Sequence, residues 1–112
     1  AAAEFERELT AAGLAVSKVD DGELARFLEG EGRVVRVGDG FAVSSGAYQL
    51  ARHLVVTECG AAGEISLARF RDLAGVGRRD AQVLLERMDA DGVTRRIGDR
   101  RVLRRSARVD GG

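Results

Sequence analysis

The amino-acid sequence predicts a mostly helical α+β fold in which small β-hairpins follow amphipathic helices. Of its 112 residues 45% are hydrophobic and 32% charged, with no Pro and no Trp, a composition typical of a folded, helix-rich protein. The chain also repeats itself with a period of 60 residues, since residues 32–39 align with residues 92–99. Each copy has a Gly-Asp pair between two strand-like runs, which predicts a tight hairpin turn.

The second copy begins with a predicted helix over about residues 46–58. Ser44 or Ser45 can accept hydrogen bonds from its first free N–H groups and so cap it. Glu64-Ile65-Ser66 then reads as a short strand. The apolar residues that we expect on the buried face of the helix are Ala47, Leu50, Ala51 and Leu54.

Two further helices and a hairpin follow. Ser66 can cap a helix over residues 67–74, which Gly75 would end, and a third helix spans about residues 78–90. The expected buried residues are Leu67, Phe70 and Leu73 in the first of these, and Ala81, Leu84, Leu85 and Met88 in the second. With the hairpin over residues 93–104, the order helix, strand, helix, helix, hairpin is that of a winged helix.

The first copy is shorter. It predicts a helix over residues 4–12 and another from Gly22 to Gly30 that buries Leu24, Phe27 and Leu28. Too few residues lie between these helices for a full middle helix. We therefore expect tandem winged-helix modules, a first one over residues 1–44 that is truncated or degenerate and a second one over residues 45–112.

Charge is distributed unevenly although the formal net charge is zero. Residues 1–56 carry six basic and nine acidic residues, whereas residues 57–112 carry twelve and nine. Seventeen of the eighteen basic residues are Arg, which binds phosphate through a planar fork and stacks on bases as Lys does not. A GC-rich genome would account for most of the Arg preference, but not for its clustering towards the C-terminus.

The candidate nucleic-acid interface combines the start of the third helix with the wing. Cations at a helix N-terminus oppose the helix dipole, so paired arginines there suggest a bound phosphate. Strand alternation puts Arg96 and Arg101 on one face of the hairpin, and Arg95, Arg100 and Arg104 on the other. The alternative is an ordinary solvated edge. The candidate residues are Arg78, Arg79, Gln82, Arg95, Arg96, Arg100 and Arg101.

Several other classes of function are excluded by composition. The single cysteine, Cys59, excludes an internal disulfide and a cysteine-based zinc site, and the single histidine, His53, reads as a surface residue. There is no G-x-x-x-x-G-K phosphate loop, no catalytic triad pattern and no metal-ligand spacing. No apolar run approaches the roughly 20 residues that cross a bilayer. We therefore expect neither an enzyme nor a membrane protein.

Residues 64–103 resemble the last winged-helix domain of bacterial selenocysteine-specific elongation factors (SelB), and residues 24–43 resemble the preceding one. The residues that match the SelB pattern at fixed spacing are Phe70, Arg71, Asp72, Arg78, Arg79, Ala81, Leu84, Leu85, Glu86, Asp89, Gly92, Thr94, Arg96, Gly98, Asp99 and Arg101. So many matches over about forty residues are far more specific than a generic winged helix.

The resemblance implies a function in translation. In SelB the last winged helix binds a hairpin in selenoprotein mRNA, the selenocysteine insertion sequence (SECIS), and so recruits selenocysteinyl-tRNA to a UGA codon. It implies that the RNA-binding residues are at the start of the recognition helix and in the wing. GTP and Mg, the ribosome and the tRNA belong to other parts of the full-length factor, so no cofactor is expected here. We expect a cytoplasmic monomer.

Two alternatives stay open at this point. A DNA-binding winged helix of a transcriptional regulator shares the architecture, but prefers a duplex and usually dimerises. A protein-interaction winged helix would instead use Arg78 and the wing to bind an acidic partner. Competition between a stem-loop RNA and duplex DNA distinguishes these possibilities.

Overall fold

A computed structural model describes residues 16–19, 22–38 and 40–104, and the helix predicted over residues 4–12 lies outside them. The elements in chain order are β1 (Ser17–Lys18), α1 (Gly22–Gly30), β2 (Val34–Val37), β3 (Phe41–Ser44), α2 (Ser45–Ala62), β4 (Ile65–Ser66), α3 (Leu67–Ala74), α4 (Arg78–Ala90), β5 (Thr94–Ile97) and β6 (Arg100–Leu103). The predicted α+β class is confirmed.

The strands of the described residues form two antiparallel three-stranded sheets with the same topology. Their orders are β1-β3-β2 and β4-β6-β5, so the last strand of each set lies in the middle. We call β1, α1, β2 and β3 the first unit, and α2 to β6 the second unit. The second unit has the full winged-helix order. Only residues 19–21 separate β1 from α1, so the first unit has no counterpart of α3.

Side-chain caps fix the starts of α2 and α3, as predicted. The Ser44 Oγ accepts a hydrogen bond from the Ala47 N–H at 3.1 Å, and the Ser66 Oγ accepts one from the Arg69 N–H at 3.1 Å. Gly75 ends α3 with its N–H bonded to the Arg71 carbonyl. Helix α2 continues to Ala62, four residues beyond the predicted end, because the first residue to leave the helix is Gly63.

The main apolar cluster lies under α4 and contains residues of both units. The four predicted core residues of α4 are all fully buried: Ala81, Leu84, Leu85 and Met88. Phe70 of α3 is also fully buried, as predicted. Val37 and Val43 of the first unit belong to the same cluster. The first sheet therefore packs directly against the helices of the second unit.

Two predicted core residues are instead exposed. Leu50 is 51% exposed and Phe27 is 57% exposed. On α2 the predicted Ala47 and Ala51 are buried, but the buried side continues through Tyr48, Val55 and Cys59 instead of Leu50, because apolar residues occur on more than one side of this helix. On α1 the helix packs against β2 through Ala25 and Leu28. Neighbouring Phe27 points away from that contact.

Polar contacts also join the two units. The Arg87 Nη1 of α4 donates to the Glu29 Oε2 of α1 at 2.9 Å and to the Arg36 carbonyl of β2 at 2.8 Å. The Arg87 Nε donates to both carboxylate oxygens of Asp91 at 3.0 Å. Asp91 in turn accepts from the Tyr48 hydroxyl at 2.6 Å. One guanidinium thus ties α4 to both α1 and β2.

Candidate nucleic-acid interface

The hairpin of β5 and β6, which we call the wing, separates its arginines onto two faces. Residues that lie opposite each other in an antiparallel pair share a face. The register pairs Arg96 with Arg101, and Ile97 with Arg100. Arg95, two residues before Ile97 on the same strand, lies on the face of Ile97. The predicted assignment of these arginines to two faces is confirmed.

Arg101 is held inside the protein. Its side chain is 3% exposed, and its Nε and Nη2 donate to the Asp89 Oδ2 of α4 at 3.3 and 3.2 Å. The other Asp89 oxygen accepts from the Thr94 hydroxyl at 2.6 Å. This carboxylate therefore fixes both strands of the wing against the end of α4. Arg101 is set apart from the other candidate residues, because its charge is already paired and excluded from solvent.

The remaining arginines of the wing are exposed. Arg95 and Arg96 have no carboxylate partner among the described residues, and the Arg96 Nε donates to the Gly98 carbonyl at 2.8 Å. Arg100 pairs with Glu64, and its Nε lies 3.9 Å from Asp99. An exposed ion pair contributes only about 0–1 kcal/mol, so a phosphate can displace it. Ile97 lies between these cations and is 52% exposed.

The first turn of α4 presents the second basic group. Its N-cap is Gly77, which provides no side-chain hydrogen bond to the first N–H groups. Arg78 is exposed, and its side chain makes no hydrogen bond or ion pair with any residue in the described part of the chain. Arg79 is 65% exposed and donates from Nε and Nη2 to the Asp80 Oδ1 at 3.2 and 3.0 Å. Exposed Gln82 donates to Glu86 at 3.3 Å.

One side of α4 is covered by the first unit. Val83 lies so close to the β2–β3 turn that a Cβ on Gly38 would be 2.9 Å from its Cγ1. Arg87, one turn later, contacts α1 and β2 as described above. The guanidinium of Arg79 lies over the Phe41 ring of β3, 4.6 Å from its centroid. The stripe of Arg78, Gln82 and Glu86 stays open to solvent.

The structure thus places the six exposed candidate residues in two groups on different elements, and the seventh, Arg101, is buried. Arg78, Arg79 and Gln82 lie at the start of α4, and Arg95, Arg96 and Arg100 lie on the wing. Among the described residues, no hydrogen bond joins one group to the other. The wing is connected to the opposite end of α4 by the turn at Asp91.

Sequence reasoning missed the residues that hold these groups in place. Asp89 and Thr94 match the SelB pattern without an assigned role, and Arg101 is predicted to bind RNA, yet the three form one hydrogen-bonded cluster. Their fixed spacing was the available signal. Phe41 carried no such signal, because its contact with Arg79 joins residues 38 positions apart.

The other candidate chemistries have no support. Burial raises the pKa of the Cys59 thiol to about 11, helped by Glu58 and Glu64, so the thiol is unreactive at neutral pH. His53 is exposed, as predicted. Across the described ranges, no group of three or more His, Cys, Asp or Glu residues could hold a metal ion. None of the helices described is long and apolar enough to cross a bilayer.

Comparison with known proteins finds a family match inside the second unit. Residues 58–103 match the family model described as elongation factor SelB, winged helix. The predicted resemblance to SelB is confirmed. The matched range contains both exposed arginine groups and the Asp89 cluster. None of the curated protein sequences matches significantly.

Two solved structures share the fold of this protein over nearly the whole chain. One is the mRNA-binding domain of elongation factor SelB from E. coli in complex with SECIS RNA: it is 22% identical, with a TM-score of 0.76, and the match covers 92% of this chain and 96% of that one. The other is bacterial selenocysteine-specific elongation factor EF-Sec, at 15% identity and a TM-score of 0.78. That match covers 93% of this chain but 18% of EF-Sec. Both structures share this fold across both units.

Proposed function

We propose that this chain is the RNA-binding C-terminal part of a selenocysteine-specific translation elongation factor. It would recognise the SECIS hairpin of a selenoprotein mRNA and so support decoding of UGA. The observation that carries the proposal is the set of exposed arginines at the start of α4 and on the wing, inside the segment that matches the SelB winged helix. The E. coli SelB domain of the same fold is described in complex with SECIS RNA.

The proposed mechanism is mainly electrostatic. Five exposed arginines, Arg78, Arg79, Arg95, Arg96 and Arg100, would contact phosphates and release counterions. Gln82, on the open stripe of α4, can donate to or accept from a base edge. A-form RNA hides its major groove, so specificity would come from the loop shape and from unstacked bases. Arg101 would act indirectly, by fixing the wing through Asp89.

The geometry of α4 favours RNA over duplex DNA. A winged helix that reads DNA inserts its recognition helix into a major groove about 12 Å wide. Here Val83 and Arg87 lie against the first unit, so the face of α4 that a groove could accept is narrowed to the stripe of Arg78, Gln82 and Glu86. A hairpin loop can contact the first turn of α4 and the wing without the helix entering a groove.

The wider context of this function is also part of the proposal. In the full-length factor this chain would act with the ribosome and selenocysteinyl-tRNA in the cytoplasm. GTP and Mg would be bound elsewhere in that factor, since this sequence has no phosphate loop. The chain itself would bind RNA as a monomer and without a cofactor.

The direct test is a binding titration with the host's own selenoprotein mRNA hairpin, with duplex DNA and an unrelated hairpin as competitors. We expect the SECIS hairpin to bind most tightly. If about five arginines contact phosphates, its affinity should fall roughly 10²-fold between 50 and 200 mM salt. Preference for duplex DNA, or a salt-insensitive complex, would reject the proposal. Binding to an acidic protein but to none of these nucleic acids would favour the protein-interaction alternative.

Charge reversal tests the location of the interface. We expect the double variant Arg78→Glu, Arg79→Glu to weaken hairpin binding by at least about 100-fold, because it removes two positive charges near phosphate and adds two negative ones. The matched control is Arg26→Glu with Arg69→Glu, two exposed arginines on α1 and α3 outside the candidate residues. It changes the net charge equally, so equal losses would show that binding depends only on net charge. Circular dichroism of both variants checks the fold.

A further inference from the structure

We infer that Phe41, a residue of the first unit, is a positioning residue for Arg79 at the RNA interface. The inference rests on the proposed function, because it assigns Phe41 a part in RNA binding. It starts from the contact between the Arg79 guanidinium and the Phe41 ring, 4.6 Å from the ring centroid. Such a stack attracts the cation towards the ring face. Phe41 would thus act on RNA only through Arg79.

The stack leaves the binding edge of Arg79 open. A guanidinium carries five N–H donors in one plane, and Asp80 accepts from Nε and from Nη2. Both donors of Nη1 and one of Nη2 stay free, and they form the fork that binds a phosphate with two hydrogen bonds. The Arg79 Cζ lies over the Phe41 ring, and attraction of a cation to a ring face requires no hydrogen bond from these donors. Arg79 can therefore keep the stack while it binds phosphate.

The Phe41 ring is itself fixed relative to α4 by three contacts. The β2–β3 turn approaches Val83 at van der Waals distance through Gly38. The Val16 N–H, just before β1, donates to the Asp80 Oδ2 at 3.2 Å. Arg87 closes the far end through Glu29 and the Arg36 carbonyl. The first unit thus sets the direction in which Arg79 points.

Arg79 differs in this respect from its neighbour Arg78. Within the described residues Arg78 has no partner, so its rotamers are unrestricted before it binds a ligand. Ordering a long side chain on binding costs conformational entropy. Arg79 has lost part of that freedom in the free protein. We therefore expect loss of the Phe41 ring to weaken RNA binding even though Phe41 need not touch RNA.

A double-mutant cycle in the full chain tests this inference. Phe41→Leu keeps an apolar side chain but removes the ring, and should weaken SECIS hairpin binding by a factor of about two to five. In the Arg79→Ala background the same substitution should have no effect. Phe27→Leu on α1 is the matched control, since Phe27 is exposed and stacks on no cation among the described residues. We expect Phe41→Tyr, which keeps the ring, to bind as the wild type.

A measurement without RNA separates this inference from the proposed function. The ring of Phe41 should shift the NMR resonance of the Arg79 Nε proton, and Phe41→Leu should move that resonance while Phe41→Tyr keeps it. If the resonance does not respond to Phe41→Leu, the inference fails whatever the RNA results. It fails equally if Phe41→Leu weakens binding as much in the Arg79→Ala background. If the resonance responds but the wild type binds no RNA, the proposed function fails, and with it the role of the contact in RNA binding.

Discussion

The two hairpins of this chain share topology and a Gly-Asp turn, yet they have opposite surroundings. Val37 and Ile97 occupy equivalent positions in the 60-residue repeat, and they are 1% and 52% exposed. A Cβ on Gly38 would be 2.9 Å from Val83, whereas one on Gly98 would meet no described atom within 4 Å. The first hairpin packs on α4, and the wing extends into solvent. The same repeated hairpin is therefore a packing surface in the first unit and a candidate binding surface in the second.

Side-chain chemistry accounts for the difference. The strand that begins the first hairpin, β2, reads Val-Val-Arg-Val, while β5 reads Thr-Arg-Arg-Ile. Val35 is partly buried against the core where the repeat places exposed Arg95. A cation in that position would lose its hydration on docking. The extra arginine keeps the wing away from apolar contacts and leaves it available to a polyanion.

The largest expected difference between the two hairpins comes from their turn glycines. Gly38 and Gly98 both have positive φ, 54° and 62°, which costs a non-glycine residue about 1–2 kcal/mol. Gly38→Ala adds the clash with Val83, so we expect about 3 kcal/mol of destabilisation in total. Gly98→Ala should cost only about 1 kcal/mol. Urea unfolding of both variants measures the loss of stability. Equal losses would mean that the turn at Gly38 does not pack against α4.

Within the wing, the two neighbouring arginines of β6 should also differ. Arg101→Ala leaves the Asp89 carboxylate without its partner in a largely enclosed place, and we expect about 2–3 kcal/mol of destabilisation. Arg100→Ala removes an exposed ion pair and should change the free energy of unfolding by less than about 0.5 kcal/mol. Thermal unfolding compares them. A larger loss for Arg100 would contradict the assignment of Arg101 as the residue that anchors the wing.

Substitution of the apolar residue before each turn should give a smaller difference in the free energy of unfolding. Val37→Ala opens a cavity in the main cluster, which should cost about 2 kcal/mol. Ile97→Ala removes an exposed side chain, and its effect on the free energy of unfolding should stay within about 0.5 kcal/mol. Denaturant unfolding provides the comparison. Equal effects would imply that Ile97 is buried in solution, and that the wing is therefore not an exposed surface.

The smallest expected effect is a pH dependence of the free energy of unfolding, which comes from Glu29 at the contact between the two units. Burial raises the pKa of Glu29, but hydrogen bonds from Arg36 and Arg87 outweigh it, and the net pKa lies below the ordinary value of 4.5. The ionised form therefore stabilises the folded state above about pH 4.5, and this contribution is lost as the pH falls through the lowered value. Glu29→Gln should flatten the acid side of the stability curve. Glu23→Gln on the same helix controls for net charge, and an unchanged curve for Glu29→Gln would contradict the prediction.

Local signals in the sequence predicted most of the second unit. Ser44, Ser66 and Gly75 mark helix ends through contacts within a few residues, and the apolar spacing of α4 has one clear face. The buried side of α2 was harder, because Leu50 and Leu54 define a stripe as plausible as the real one through Tyr48 and Val55. Packing against other elements decided between them.

In the candidate site, too, local features were predictable and contacts between distant elements were not. The exposed arginines followed from strand alternation and helix position, which are local properties. The burial of Arg101 depends on Asp89, and the direction of Arg79 depends on Phe41, each in another element. A pattern of spacings carries no information on such pairs until the elements are assembled. Sequence reasoning thus found the charges but not the side chains that orient them.

Tyr48 provides an optical signal for the contact between α2 and the end of α4. It is the single tyrosine of a chain that has no tryptophan, and its hydroxyl donates to Asp91, the carboxylate that Arg87 grips. A phenol bonded to a carboxylate emits weakly, and its emission rises when the bond breaks. Separation of the end of α4 from α2 should therefore increase the tyrosine fluorescence of the unlabelled protein, so that a simple fluorescence measurement reports on this contact.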